Sequence, residues 1–578
     1  MMKKRDKFSR LIIVTGLLLL LLSLLSGCAA RRTITPDMPY WKDADRKDIP
    51  EPEGRDPGLA WTSIKRSAFD QVRQGINVER NFRILSSNRI ESHNINSFDE
   101  VPNSTWFTNR HGLFELSPEE IFQGPVIGDG PDTSGAWEVF RPKVGGATPG
   151  FWIEDSRGDQ YIIKFDPKGY PEMSTAAAAM ASRYFHACGY NVPEETIVYW
   201  RPEKLKIKPG ARIKEKGVKR EFTRADLDKI LSDVEKEENG TIRSLASKII
   251  KGKIKGSFSY SGKRRDDPND WCSHENRREL RALYVFASLV NHYDTKDQNT
   301  LDAYIEEDGR HFLKHYLIDF GSTFGADGDG PKPAIKGYAN FVDLRDMLVS
   351  TLTLGLKTWS WEKGGEVEHR SIGYFESQIF QANKFDPILP NPAFEEMTYA
   401  DAFWAAKIVM SFDEEDLRAL VRAGKYSDAQ AEKYLLKTLL ERQQKIGRHW
   451  FSKVNPLDEF DFANSDGSIS INFTDLSVRH GFELEDETQY KYSVKYQRLQ
   501  KLESAEFGGS QFVISAEDVK TLIESYRAPK VENSGSHLYE ILISTKRGDS
   551  YWSKDTALWL WYHPDKNSFQ LVGIEHRS

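Results

Sequence analysis

Cysteine is almost missing from this chain: Cys28, Cys188 and Cys272 are the only three in 578 residues. Two cysteines beyond position 28 exclude a disulfide framework and a cysteine zinc site, and allow one disulfide at most. Cys188 lies in an apolar, helical context that reads as a buried thiol. After the first thirty residues no long hydrophobic run recurs, so the sequence holds no second membrane span. Neither sign of charge dominates: the net value is −6, which gives no argument for nucleic acid. His274-Glu275 lacks the second histidine of H-E-x-x-H, and G-x-S-x-G is absent, which removes a zincin and an elbow-type serine hydrolase. No internal repeat or low-complexity tract is found.

What is present begins at the N-terminus. Lys3, Lys4, Arg5, Lys7 and Arg10 precede an apolar stretch from Leu11 to Leu25, too short for a comfortable transmembrane helix. The stretch ends in Leu25-Ser26-Gly27-Cys28, which resembles the bacterial lipobox. That resemblance implies a signal peptide over 1–27 and diacylation of Cys28, with lasting attachment to a membrane. Ala29 is not the aspartate of an inner-membrane retention signal, so the expected place is the cell envelope at the outer membrane.

Composition then divides the chain. Residues 28–60 are polar, with Pro36, Pro39, Pro50, Pro52 and Pro57, and read as a tether. Residues 61–135 form an N-terminal extension. In 136–205, Phe151 to Asp155 and Tyr161 to Phe165 flank the turn Ser156-Arg157-Gly158-Asp159, a hairpin signature. An alanine-rich helix from Ser174 to Cys188 follows, closed by Gly189. Residues 206–274 are lysine-rich and read as a basic insertion with a helical patch around Arg224 to Ile249. Residues 275–455 are largely helical, starting with an amphipathic helix over Glu275 to Val290. Residues 456–578 change to short alternating strands, a β-rich, sandwich-like C-terminal domain. The fold class expected is α+β.

Two motifs carry the chemistry. His292-Tyr293-Asp294-Thr295-Lys296-Asp297-Gln298-Asn299 reads H-x-D-x-K-x-x-N, and Leu317-Ile318-Asp319-Phe320-Gly321 is an apolar run ending in D-F-G. A strand, a turn at Glu306 to Arg310 and a second strand separate them, so a hairpin can return Asp319 to Asn299. In this order the motifs resemble the catalytic loop and metal-binding turn of protein-kinase-like phosphotransferases, nearer to the atypical HipA-type and lipid-kinase-like groups. The resemblance implies a two-lobed fold and the use of ATP with Mg2+. It makes Asp294 the carboxylate that orients the attacking hydroxyl, gives Lys296 the transferring charge, and gives Asn299 and Asp319 the metal.

Ile162-Ile163-Lys164 resembles the V-A-I-K strand, which would put Lys164 on the phosphates. Gly145 and Gly146 lie where a phosphate-covering loop belongs, although their spacing is not G-x-G-x-x-G and equally suits a plain turn. Glu172 is the only near candidate for the glutamate that pairs with Lys164. Tyr293 replaces the arginine of H-R-D, no A-P-E follows, and the stretch from Gly325 to Gly330 reads as a flexible glycine and aspartate loop. The expected function is an envelope-anchored phosphotransferase acting on a hydroxyl. An ATP-poor compartment leaves two rivals open: an inactive kinase-like lipoprotein binding a ligand or partner through the cleft, or an envelope protein whose C-terminal domain recognises a protein or glycan.

Overall fold

The computed structural model describes residues 34–35, 39–55, 58–70, 89–143, 150–215, 218–527 and 537–577. The leader with Cys28, and the glycines Gly145 and Gly146 expected to cover phosphates, lie outside the described residues.

The fold is α+β. Its first lobe is a six-stranded mixed sheet made of β1 (Trp137–Pro142), β2 (Gly150–Glu154), β3 (Gln160–Lys164), β4 (Glu195–Trp200), β5 (Leu205–Ile207) and β6 (Ile242–Lys248). The order is β4-β6-β3-β2-β1-β5, antiparallel except for β1 with β5. The β2–β3 hairpin turns at Gly158, whose φ of +82° favours a residue without a Cβ. Alternation then puts Phe151, Ile153, Tyr161 and Ile163 into an apolar core with Trp137, Trp200 and Leu227.

The stretch read as an inserted helical patch is different in the structure. Only Arg224–Ser232 is helical, while β6 enters the middle of the sheet between β4 and β3. Its sequence, Ile242-Arg243-Ser244-Leu245-Ala246-Ser247, hides this because both faces are buried and no polar–apolar alternation survives.

Helix α1 (Met173–Ala187) crosses beneath this sheet. Its alanines are buried on every side, so small side chains permit close passage between neighbours. The second lobe gathers α2 (Arg278–Leu289), the hairpin β7 (Thr300–Glu307) and β8 (Arg310–Leu317), and the helices α3 (Tyr399–Ser411), α4 (Glu414–Arg422) and α5 (Ala429–Phe451). They share one hydrophobic core with α1. Capping boxes start α3 at Thr398 and α4 at Asp413.

The C-terminal domain has its own core between a five-stranded and a three-stranded antiparallel sheet, covered by the helix Ala516–Arg527. The polar stretch read as a tether differs in part. Residues 39–55 lie along the body: Asp45 accepts from Thr105, and the Ile49 N–H donates to the His311 carbonyl. Hydrogen bonding to exposed main chain orders a segment whose composition alone suggests a free linker.

Beneath the site lies a buried ionic network. On α2, Arg278 meets Asp401 of α3 at 3.0 Å and Asp99 at 2.9 Å, and Arg281 meets Asp401 at 3.2 Å. Ser92 and Asn94, from the N-terminal extension, donate to Asp401 and Glu279. Thus the extension is tied to the helix that leads into the H-x-D loop.

Candidate functional site

Lys164 ends β3, and Asp319 follows β8. The two meet at 3.0 Å between Nζ and Oδ1 across the mouth between the lobes. Register explains how Asp319 arrives: in the β7–β8 hairpin Thr300 pairs with Leu317, and the Ile318 N–H donates to the Asn299 carbonyl at 3.0 Å. Asp319 adopts φ +64°, a left-handed conformation that Asp tolerates better than most residues and that marks strain held by its surroundings. Its carboxylate is half open to the cleft, 52% exposed. The Lys164 ammonium holds that carboxyl down at about 2, aided by Lys143 and Lys296.

The residues of the H-x-D loop form a second group. Lys296 donates to both carboxylate oxygens of Asp294, at 2.7 and 2.9 Å. Asn299 donates to the same carboxylate at 2.9 Å and to the Asp294 carbonyl at 2.8 Å. Burial raises the Asp294 pKa, with Asp319 adding to the rise and Lys296 opposing it. His292 is buried against Phe185 and Phe320, and burial lowers it to about 3, so it serves as a neutral packing group beneath both loops.

A cavity of about 320 Å³ joins the groups. Lys143, Lys164, Asp294, Lys296, Asp319 and Lys336 line it, with Ser174 and Thr175 from α1 and Asp327 and Asp329 from the loop that follows. Asn299 is not among the lining residues; it stands behind Asp294. The loop from Gly325 to Gly330, expected to be flexible, is pinned in place. The Asp327 N–H donates to the Gly330 carbonyl and the Lys332 N–H to the Gly325 carbonyl. Gly325 also lies so close to Gly373 that an added Cβ would stand 2.5 Å from that residue's carbonyl carbon. Lys336 pairs with Asp327, keeping one aspartate neutralised at the rim.

The partner of Lys164 also differs from expectation. Glu172 is turned away, accepting from the Ser427 N–H, whereas Glu195 lies 4.0 Å from the Lys164 ammonium. Glu195 begins β4, the strand after the helix, and is completely buried. The sequence did carry a signal: in Glu195-Thr196-Ile197 the alternation puts a glutamate on the same inward face as an isoleucine. Lys143 and Lys336 had no motif to mark them.

Burial lifts Glu195 to about 7 against the pull of Lys164. A carboxyl whose folded pKa exceeds its unfolded value takes up protons on folding, so its contribution to stability falls as pH rises from about 4.5 to about 7. Replacing Glu195 by Gln is expected to flatten the stability–pH curve over that interval. Chemical denaturation from pH 4.5 to 8 measures it, and an unchanged slope would sink the assignment.

No family model matches this sequence, and no curated protein matches it. Among solved structures there is similarity to the Helicobacter pylori proinflammatory kinase CtkA, at 11% identity and TM-score 0.29, covering 56% of this chain and 99% of that one. The Golgi casein kinase is similar at 10% identity and TM-score 0.26, over 70% of this chain and 96% of that one. The Golgi casein kinase with Mn/ADP bound gives 14% identity and TM-score 0.20, over 64% and 96%. Likenesses this remote say nothing of the chemistry here, which has to be read from the cleft's own side chains.

Proposed function

We propose that this cleft binds a nucleoside triphosphate with Mg2+ and transfers its terminal phosphoryl group to a hydroxyl. The observation that carries the reading is the meeting of Lys164 with Asp319 across the two lobes, in one cavity with Asp294 and Lys296. The donor set fits. Phosphates are matched by the ammonium groups of Lys143, Lys164, Lys296 and Lys336. Mg2+ takes oxygen ligands, commonly one or two carboxylates together with substrate phosphates, and Asp319 and Asp329 offer such oxygens. No cluster of three or more His, Cys, Asp or Glu side chains among the described residues makes a cage by itself, which suits a cation shared with phosphate.

When bound, Mg2+ would neutralise phosphate charge. The chain's own groups do the rest. Lys164, fixed between Asp319 and Glu195, steadies the phosphates. Asp294, with its raised pKa, takes a hydrogen bond from the acceptor hydroxyl and receives its proton. Lys296 follows the transferring charge, and Asn299 holds the Asp294 carboxylate in place. Titration calorimetry with ATP, with and without Mg2+, tests the reading, and transfer of labelled phosphate to the chain or to envelope extracts tests turnover. Binding without transfer would favour the inactive, ligand-binding alternative; no binding of any nucleotide would end the phosphotransfer reading.

The leader supports a further part of the proposal, attachment to the envelope membrane through acylated Cys28. Among the described residues no helix is long and apolar enough to cross a membrane. In cells fed labelled palmitate the wild-type chain is expected to take up label, and Cys28→Ser to take up none and retain its leader. Equal labelling of both would remove the anchor.

A further inference from the structure

Helix Leu344–Leu352 carries its apolar stripe on the wrong side for a globular protein. Leu344, Met347, Leu348 and Leu352 follow the i, i+3, i+4, i+8 spacing of a single helical face. Such a stripe normally faces the core. Here it faces outward: Met347 and Leu348 are each 59% exposed and Leu352 74%, and Phe341, just ahead of the helix, is 76% exposed. Leu354 and Leu356 extend the surface beyond the helix end. Single exposed apolar residues are ordinary, but a contiguous row of this length marks a surface that is covered in use.

The place of the row in the fold is also informative. The Phe341 N–H donates to the Ile388 carbonyl, and the Ile388 N–H donates to the Tyr293 carbonyl, each at 2.8 Å. Three main-chain segments therefore lie side by side, and adjacent hydrogen-bonded segments are spaced by about 5 Å. The apolar row thus begins roughly 10 Å from the loop that presents Asp294.

We infer that this face seats on a phospholipid bilayer. Three observations choose that occupant. From Cys28 to Trp41, whose carbonyl is bonded to Asn103, the chain spans at most about 45 Å, so an acylated Cys28 keeps the body beside a membrane. Trp359 and Trp361 follow the row, with the Lys357 ammonium 4.4 Å above the Trp359 ring, and tryptophan with lysine is the pairing that suits a headgroup layer. Acidic and basic residues balance between positions 341 and 365, so attraction comes from apolar burial and not from anionic lipid. Seated this way, the protein holds the Asp294 loop next to the bilayer surface. If the phosphotransfer reading holds, the acceptor is then an amphiphilic alcohol lying in that surface.

The choice of occupant rests on the anchored reading, so the test removes the anchor. The chain from residue 29 to its end, without acyl groups, is floated with phosphatidylcholine vesicles at low and high salt. The wild type is expected to float at both salt levels. Leu348→Gln combined with Leu352→Gln keeps good helix formers and is expected to lower vesicle partition at least roughly tenfold. Its melting temperature and its ATP affinity should not change. Three results would each overturn the inference: a wild type that stays with the soluble fraction, equal flotation of both proteins, or a wild-type dimer that the double change converts to monomer without any vesicle binding. Acyl labelling at Cys28 and nucleotide titration report separately on the readings beneath it.

Discussion

Replacing Asp319 by Asn is expected to abolish the Mg2+-dependent part of nucleotide binding, a loss of roughly 100-fold or more in affinity. The substitution is chosen for its backbone. Asp319 lies at φ +64°, and Asn is among the few residues that accept this conformation, so the fold should survive. What disappears is the charge that faces Lys164 at 3.0 Å and would face a cation from the same cleft. Nucleotide affinity without Mg2+ should change much less, because the ammonium groups of Lys143, Lys164 and Lys296 remain. The pH behaviour follows from the same pair. With a folded pKa of about 2, below the unfolded value, Asp319 contributes stability above about pH 4 that is lost as pH falls toward 2. Calorimetry with and without Mg2+ on both proteins gives the answer. If the Asn variant kept its full Mg2+ increment, Asp319 would not be a metal ligand.

The second large effect concerns the fold. Asp401→Ala is expected to cost about 3–5 kcal/mol, because it strips the shared counter-ion from two arginines buried in the core of α2. Arg278 and Arg281 have no exit to water, and both ion pairs to Asp401 are fully enclosed. The capping contact between Asp401 and Thr398 at the start of α3 is lost as well. Denaturant unfolding of the chain from residue 29 measures the change. A loss below about 1 kcal/mol would mean that Asp99 and water compensate for the missing carboxylate.

How much of this could be read from the sequence depends on how far each contact reaches. The placement of the D-F-G turn and the H-x-D loop was legible because their patterns are local, and the β7–β8 hairpin that joins them spans a few residues with clear strand and turn chemistry. The structure gathers Asp294, Lys296, Asp319 and Lys164 at one cavity. Glu195 escaped because its pairing depends on where β4 joins the sheet, a long-range fact. The helix before it offered Glu172, whose position ahead of the first turn leaves it facing α5 instead. Strand β6 escaped because burial on both faces erases the alternation that betrays most antiparallel strands. The segment over 39–55 escaped for a third reason: proline and charge look alike in a free linker and in one bonded along a surface.

The final strand of the C-terminal domain ends at His576, whose ring bonds to Asp99 at 2.8 Å, while Lys407 of α3 reaches Asp458 at the entrance to that domain. Asp99 in turn is the second anion of Arg278. One carboxylate, Asp99, thus fastens both the helix that leads into the H-x-D loop and the last strand of the β-rich domain, so loosening either body weakens the hold on the other.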